Sequence, residues 1–163
     1  MKGRVATARE FLAKGDTKGY DAAKRGLPAV CYMCNFKPNK GKNGKFREDT
    51  WRLQSAAVLT GLVMLDFDHL EEDPREVFSR IPEHWRDDSC SAQILLAHVT
   101  PSGKGLRIVC KADAKRGNLA DNQQALATAF GLQCDECVKN ADRISFFVPI
   151  ADILYLDTKN LGL

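Results

Sequence analysis

Apolar residues recur at helical spacing at Val5, Ala8, Phe11 and Leu12, which predicts a short helix over residues 5–13, closed by Gly15 and Asp16. Residues 22–25 read as a further helical turn before Gly26 and Pro28, and residues 29–33 as a strand. The pattern then lapses. Residues 35–49 combine Pro38, Gly41 and Gly44 with Lys37, Lys40, Lys42, Lys45 and Arg47, so this stretch reads as a basic loop without a core of its own. From Val58 the pattern tightens. Residues 59–67 form a nearly continuous apolar run, as in a strand buried on both faces, and it ends in Asp66-Phe67-Asp68. Asp73 followed by Pro74 has the form of an N-cap with Pro at the first helical position, with Val77, Phe78 and Ile81 on one face and Pro82 as the stop. A second strand is expected over 92–99, a turn over 100–105, and a third strand over 106–111. A helix over 118–130 then turns Leu119, Ala125, Leu126 and Ala129 or Phe130 inward, Gly131 closes it, and 144–150 reads as a fourth strand.

The order after residue 58 is βαββαβ, which predicts an α+β chain with a ferredoxin-like, RRM-like antiparallel sheet and two helices on one face. In that topology the end of the first strand lies beside the start of the fourth, so Asp66 and Asp68 are expected near residues 134–143. A simple threading of this kind also places the Ser102 turn at the far end of the third strand from Asp68. The chain reads as one domain over 1–163: an N-terminal extension over 1–57 that carries the basic loop, and a core over 58–157.

With 163 residues, the chain is long enough to bury about 69% of its unfolded surface. A hydrophobic content of 44% with 28% charged residues excludes a disordered tail, a collagen or a coiled coil. No apolar run approaches a membrane span, and the N-terminus has charges but no apolar segment of a secretory signal, so the cytosol is the expected compartment. Charge is uneven: residues 1–52 carry a balance of +8 and residues 53–163 one of −5. A basic front beside clustered acids suits a phosphate-rich partner and a metal site, although it also describes an ordinary solvated surface. The six cysteines are expected as free thiols. Cys31/Cys34 and Cys134/Cys137 have CxxC spacing, but the two pairs lie about a hundred residues apart, far wider than compact zinc modules, so no structural zinc is expected.

Three groups of residues carry candidate chemistry. Period two in a strand sends the carboxylates of Asp66 and Asp68 to one face, where two like charges call for a cation, and Mg²⁺ or Mn²⁺ suits carboxylate oxygen best. In Pro101-Ser102-Gly103-Lys104-Gly105, backbone amides, a hydroxyl and an ammonium can meet an anion, though a plain hairpin turn uses the same residues and no Walker A spacing is present. Arg107 follows on the third strand. In residues 134–143 an acid can complete a three-carboxylate site and Arg143 can hold a phosphate, while Asp142 beside Arg143 also fits a surface pair.

Together these groups resemble the archaeo-eukaryotic primase superfamily. Met64-Leu65-Asp66-Phe67-Asp68 matches its first motif, and Asp135 with Arg143 its third. Where the second motif places a histidine, this chain reads Gly105-Leu106-Arg107, and His98, a strand away, reads as structural. The closer likeness is to the primase-like N-terminal domain of bacterial and mobile-element proteins, of the BT4734-like or VirE-N-like kind, which adds Leu27-Pro28-Ala29-Val30 and Gly61 through Leu70 to the match. The resemblance implies a primase or primase-polymerase nucleotidyltransferase in DNA replication or mobile-element maintenance, with Asp66, Asp68 and Asp135 holding two Mg²⁺ or Mn²⁺ ions. Asp142 is the alternative third acid. It further implies that Ser102, Lys104, Arg107 and Arg143 grip a nucleoside triphosphate, and that Lys37, Lys40, Lys42, Lys45 and Arg47 guide a single-stranded DNA template. A helicase or other replication protein is the expected partner in trans, and no membrane is. The alternatives are a catalytically silent nucleic-acid-binding domain of the same fold and a metal-dependent nuclease.

Overall fold

The structure, a computed structural model, describes residues 2–39, 52–133 and 140–160. It is an α+β arrangement around a four-stranded antiparallel sheet built from β4 (Leu62–Phe67), β6 (Leu106–Lys111), β5 (Ile94–Val99) and β8 (Ile153–Leu156), in that order across the sheet. Shorter pairs flank it: β1 (Ala29–Val30) with β7 (Ser145–Phe146), and β2 (Cys34–Phe36) with β3 (Ala57–Leu59). The helices are α1 (Lys2–Ala13), α2 (Thr17–Arg25), α3 (Pro74–Ser79) and α4 (Leu119–Ala129). Among the described residues no helix is long and apolar enough to cross a membrane.

The apolar run of β4 is buried on both faces, as its pattern predicts. Val63, Leu65 and Phe67 pack with Ile108 and Cys110 of β6 against Val77 and Phe78 of α3 and Leu126 of α4. On the opposite face Met64, Val109 and Leu96 pack against Met33 of the N-terminal extension. Both core helices start as their sequences dictate. Asp73 accepts from the Arg75 amide with Pro74 inside the first turn, and Asn118 and Asp121 form a reciprocal capping box. Gly131, with φ of 69°, ends α4 as expected, and Leu126 is buried with Leu119 and Phe130 packed against the core; Ala129 is exposed, and Asn122, Gln123 and Ala127 are buried as well.

Several boundaries differ from the expectation, each for a local reason. Asp16 does more than end α1: it caps α2, accepting from Gly19 N at 2.8 Å, so that helix runs over Thr17–Arg25 rather than starting at Ala22. The expected strand over 59–67 breaks at Gly61, whose φ of 80° turns the chain between β3 and β4. The expected strand over 29–33 shortens to β1, and the one over 144–150 shortens to β7. After Pro149 a 3-10 turn over Ile150–Asp152 leads into β8.

The arrangement of the sheet corrects two expectations. β8 pairs with β5, at the edge opposite β4, so the last strand does not lie beside the first as in a ferredoxin-like sheet. The Ser102 turn is also not remote from Asp68. Antiparallel pairing sets Phe67 opposite Leu106, so the turn preceding β6 abuts the end of β4, and Leu70 N donates to Lys104 O at 2.9 Å.

Candidate functional site

Register alone assembles the centre of the site. Asp66 on β4, Arg107 on β6 and His98 on β5 stand opposite one another across three strands. They face the N-terminal extension rather than α3 and α4. Asp66 is fully buried and Arg107 is 6% exposed. Arg107 Nε donates to Asp66 Oδ1 at 3.2 Å, Nη2 donates to Oδ2, and Nη1 donates to Ile144 O at 3.4 Å. A buried carboxylate is costly without such a partner, and a planar guanidinium meets both its oxygens at once.

His98 closes the row. The Val99 carbonyl can only accept, so His98 Nδ1 carries the proton and donates to it at 3.0 Å, while Nε2 accepts from Ser145 Oγ at 3.3 Å. Burial pushes the His98 pKa down, against the Val99 hydrogen bond, and Arg107 adds to the fall. A neutral histidine committed on both nitrogens is structural, as its sequence position suggests.

Asp68 lies one step beyond the strand and opens onto a cavity of about 690 Å³, within the size range of small-molecule sites. Burial, then the neighbouring Asp66 charge, raise its pKa, while Arg107 and Lys24 pull it down. Gly105 packs closely against Asp68: a Cβ at that position would stand 2.7 Å from both Asp68 Oδ1 and Thr100 Oγ1 and 3.0 Å from Phe67 O. His69 then turns the chain with φ of 57°, a left-handed conformation uncommon outside glycine.

The turn over 100–105 is held from inside and from outside. Thr100 N donates to Gly105 O at 2.8 Å, Lys104 N donates to Ser102 Oγ at 3.2 Å, and the Thr100 and Ser102 hydroxyls meet at 3.0 Å. From α1, Arg9 donates to Pro101 O at 3.1 Å and Thr100 O at 3.3 Å, and its other contact is Asp152 at 2.8 Å. Asp152 is buried and also takes Arg75 at 3.0 Å.

The structure therefore brings Asp68, Ser102, Lys104, Arg107 and Arg143 to the wall of one cavity, with Asp66 beneath it behind Arg107. Asp135 lies outside the described residues. Asp142 is not in this wall; its carbonyl accepts from Cys31 Sγ at 3.5 Å and from Arg52 Nη1 at 3.4 Å. Of the basic loop, Lys37 is described and does not line the cavity, while Lys40, Lys42, Lys45 and Arg47 lie outside the described residues.

Sequence reasoning missed Lys24, Arg52 and Tyr20, which complete the same cavity. Tyr20 and Lys24 are four residues apart on α2 and share a helical face, which a helical turn starting at residue 22 does not contain. Lys24 Nζ sits 5.5 Å from the Tyr20 ring centre and 5.7 Å from that of Phe146. The cavity lining thus combines five cations, Lys24, Arg52, Lys104, Arg107 and Arg143, with the apolar and aromatic side chains of Leu12, Tyr20, Ile144 and Phe146.

The Cys31 and Cys34 thiols donate to the carbonyls of Asp142, at 3.5 Å, and Ala141, at 3.2 Å. Burial pushes the Cys34 thiol up to about 11, so it is not a nucleophile at neutral pH. Cys134 and Cys137 lie outside the described residues.

The Asp66 and Asp68 carboxylates offer only oxygen, and their like charges already draw a cation, the Arg107 guanidinium. That donor set fits a hard divalent ion.

A family model described as BT4734-like, N-terminal domain, matches residues 22–155, and the chain belongs to this family. No curated protein and no solved structure matches it.

Proposed function

We propose that this chain is a primase-type nucleotidyltransferase domain of the archaeo-eukaryotic primase superfamily, with a nucleoside triphosphate as substrate and single-stranded DNA as template. The observation that carries the reading is the shared cavity, in which an acid at the strand end, a glycine turn and several cations meet. The antiparallel sheet with α3 and α4 packed on one face supports the α+β part of this reading, while its strand order, with β8 beside β5, is not that of an RRM-like sheet.

In this reading Lys104, Arg107 and Arg143 hold the phosphates, and Ser102 and the turn amides set their position. Tyr20 and Phe146 would bring aromatic rings to the base, with Lys24 beside both. Asp66 and Asp68, with Asp135 by resemblance, would hold divalent cations. Such cations supply Lewis-acid charge at the α-phosphate and lower the pKa of an attacking hydroxyl. Lys37, Lys40, Lys42, Lys45 and Arg47 would track the template backbone, and a helicase or another replication protein is the fitting partner.

One observation favours a second reading, a nucleotide-binding domain without catalysis: Asp66 is closed off by Arg107. The test is calorimetric titration of the chain with ATP and dATP in Mg²⁺, beside Lys104→Ala and Arg143→Ala. Both readings require binding that weakens in each variant. Unchanged affinity in both variants removes the cavity from the argument.

A further inference from the structure

Asp66 is fully buried. Both its oxygens are taken by Arg107, through Nε at 3.2 Å and through Nη2. Arginine does not lose its proton in proteins, so it can leave Asp66 only as a whole cation that something else replaces. Its third nitrogen is held more loosely, by Ile144 O at 3.4 Å, and the same residue lines the cavity beside Asp68, Lys104 and Arg143. Arg107 therefore stands between two anionic destinations, the carboxylate beneath it and whatever anion fills the cavity in front.

We infer that Arg107 is an exchangeable counterion: in the ligand-free chain its guanidinium occupies the seat at Asp66 that a divalent cation takes, and arrival of that cation transfers Arg107 to the phosphates of the substrate. This rests on the proposed metal site at Asp66 and Asp68. The consequence is coupling within one site. A metal alone must displace a bidentate ion pair, and an anion alone finds Arg107 committed to Asp66. Each ligand removes the obstacle to the other, so their affinities rise together by the same factor.

The two halves of the exchange are tested with separate probes, Mn²⁺ alone, followed by its electron paramagnetic resonance signal, and inorganic tripolyphosphate alone in the presence of a chelator. Arg107→Ala removes the competitor, and Mn²⁺ should bind it about tenfold more tightly than the wild type, a modest fraction of what a buried charge-assisted pair is worth. Asp66→Asn releases Arg107 without metal, and tripolyphosphate should bind several-fold more tightly. That gain should vanish in the Asp66→Asn, Arg107→Met double variant. A gain that persists there reflects only the lost negative charge and overturns the exchange. Mn²⁺ affinity equal or lower in Arg107→Ala, while Asp68→Asn abolishes binding, also overturns the exchange but leaves the metal site standing. Mn²⁺ binding that is absent throughout, or indifferent to Asp68→Asn, overturns both. If Arg107→Ala does not fold, the tripolyphosphate measurements decide the matter alone.

Discussion

The turn that carries Ser102 and Lys104 is anchored by a residue of α1, and the anchor can be cut at a distance. Asp152 is the place. Its side chain is 7% exposed and accepts Arg9 at 2.8 Å and Arg75 at 3.0 Å, while Arg9 also donates to the Thr100 and Pro101 carbonyls. Asp152→Asn keeps the shape and removes the charge. Hydrogen bonds to a charged group contribute roughly 1.5–3 kcal/mol each when shielded. The arginine side chains are 36% and 45% exposed, so water competes for them and the pairs are discounted towards the exposed value of about 0.2–1 kcal/mol. A loss of about 1–2 kcal/mol in all follows, which for a chain of this size lowers the melting temperature by about 2–8 °C. Thermal unfolding followed by circular dichroism gives this number. A double-mutant cycle with Arg9→Ala should show coupling of about 0.5 kcal/mol or more between the two residues. Arg9→Ala should also weaken tripolyphosphate binding, because the turn loses its outer support. An Asp152→Asn melting temperature within about 1 °C of wild type, with no coupling to Arg9, would refute the reasoning. Arg9 precedes the stretch matched by the family, so this support is a feature of the chain that the match does not cover.

Gly105→Ala should push its Cβ into Asp68 Oδ1 and Thr100 Oγ1; a cost of about 1–3 kcal/mol in unfolding free energy, as for other overpacked sites, and weaker anion binding are expected, checked by denaturant titration and calorimetry. His98 is held neutral, with its pKa below the ordinary histidine value. The unfolded chain therefore takes up a proton that the folded chain refuses, and stability present above the ordinary histidine pKa falls as pH drops through it. His98→Gln should flatten that part of the stability–pH curve, and nitrogen NMR of the wild type should find the proton on Nδ1. Single-stranded DNA binding should show a log–log salt slope of roughly −3, from about four phosphate contacts at ~0.7 each. Lys40→Ala, Lys42→Ala and Lys45→Ala together should flatten it by about two units, and an unchanged slope would place the nucleic-acid surface elsewhere.

What the sequence made legible was local. The apolar run ending in Asp66-Phe67-Asp68, the Asp73-Pro74 start of α3 and the glycine turn over 100–105 each announce themselves within a few residues, because capping, burial on two faces and positive φ are short-range demands. What stayed hidden depends on partners far along the chain. Residues 144–150 have the composition of one strand, yet Ser145–Phe146 is claimed by Ala29–Val30, and the edge of the sheet falls to Ile153–Leu156. The Asp66–Arg107 pair needs the register between β4 and β6, which no window of sequence contains. The same register places the Ser102 turn beside Asp68, where a threading by analogy separates them. Lys24 and Arg52 stood in the basic front as unassigned charge until the fold turned them into one cavity.

The central claim is that this cavity transfers nucleotides, and the most direct measurement is incorporation of labelled nucleoside triphosphates on single-stranded DNA in Mn²⁺ or Mg²⁺. The account predicts metal-dependent product with the wild type, lost in Asp66→Ala and Asp68→Ala while their circular dichroism shows the fold intact. Product formed at the wild-type rate by either variant, or a wild type that binds nucleotide and template yet forms none, would contradict it.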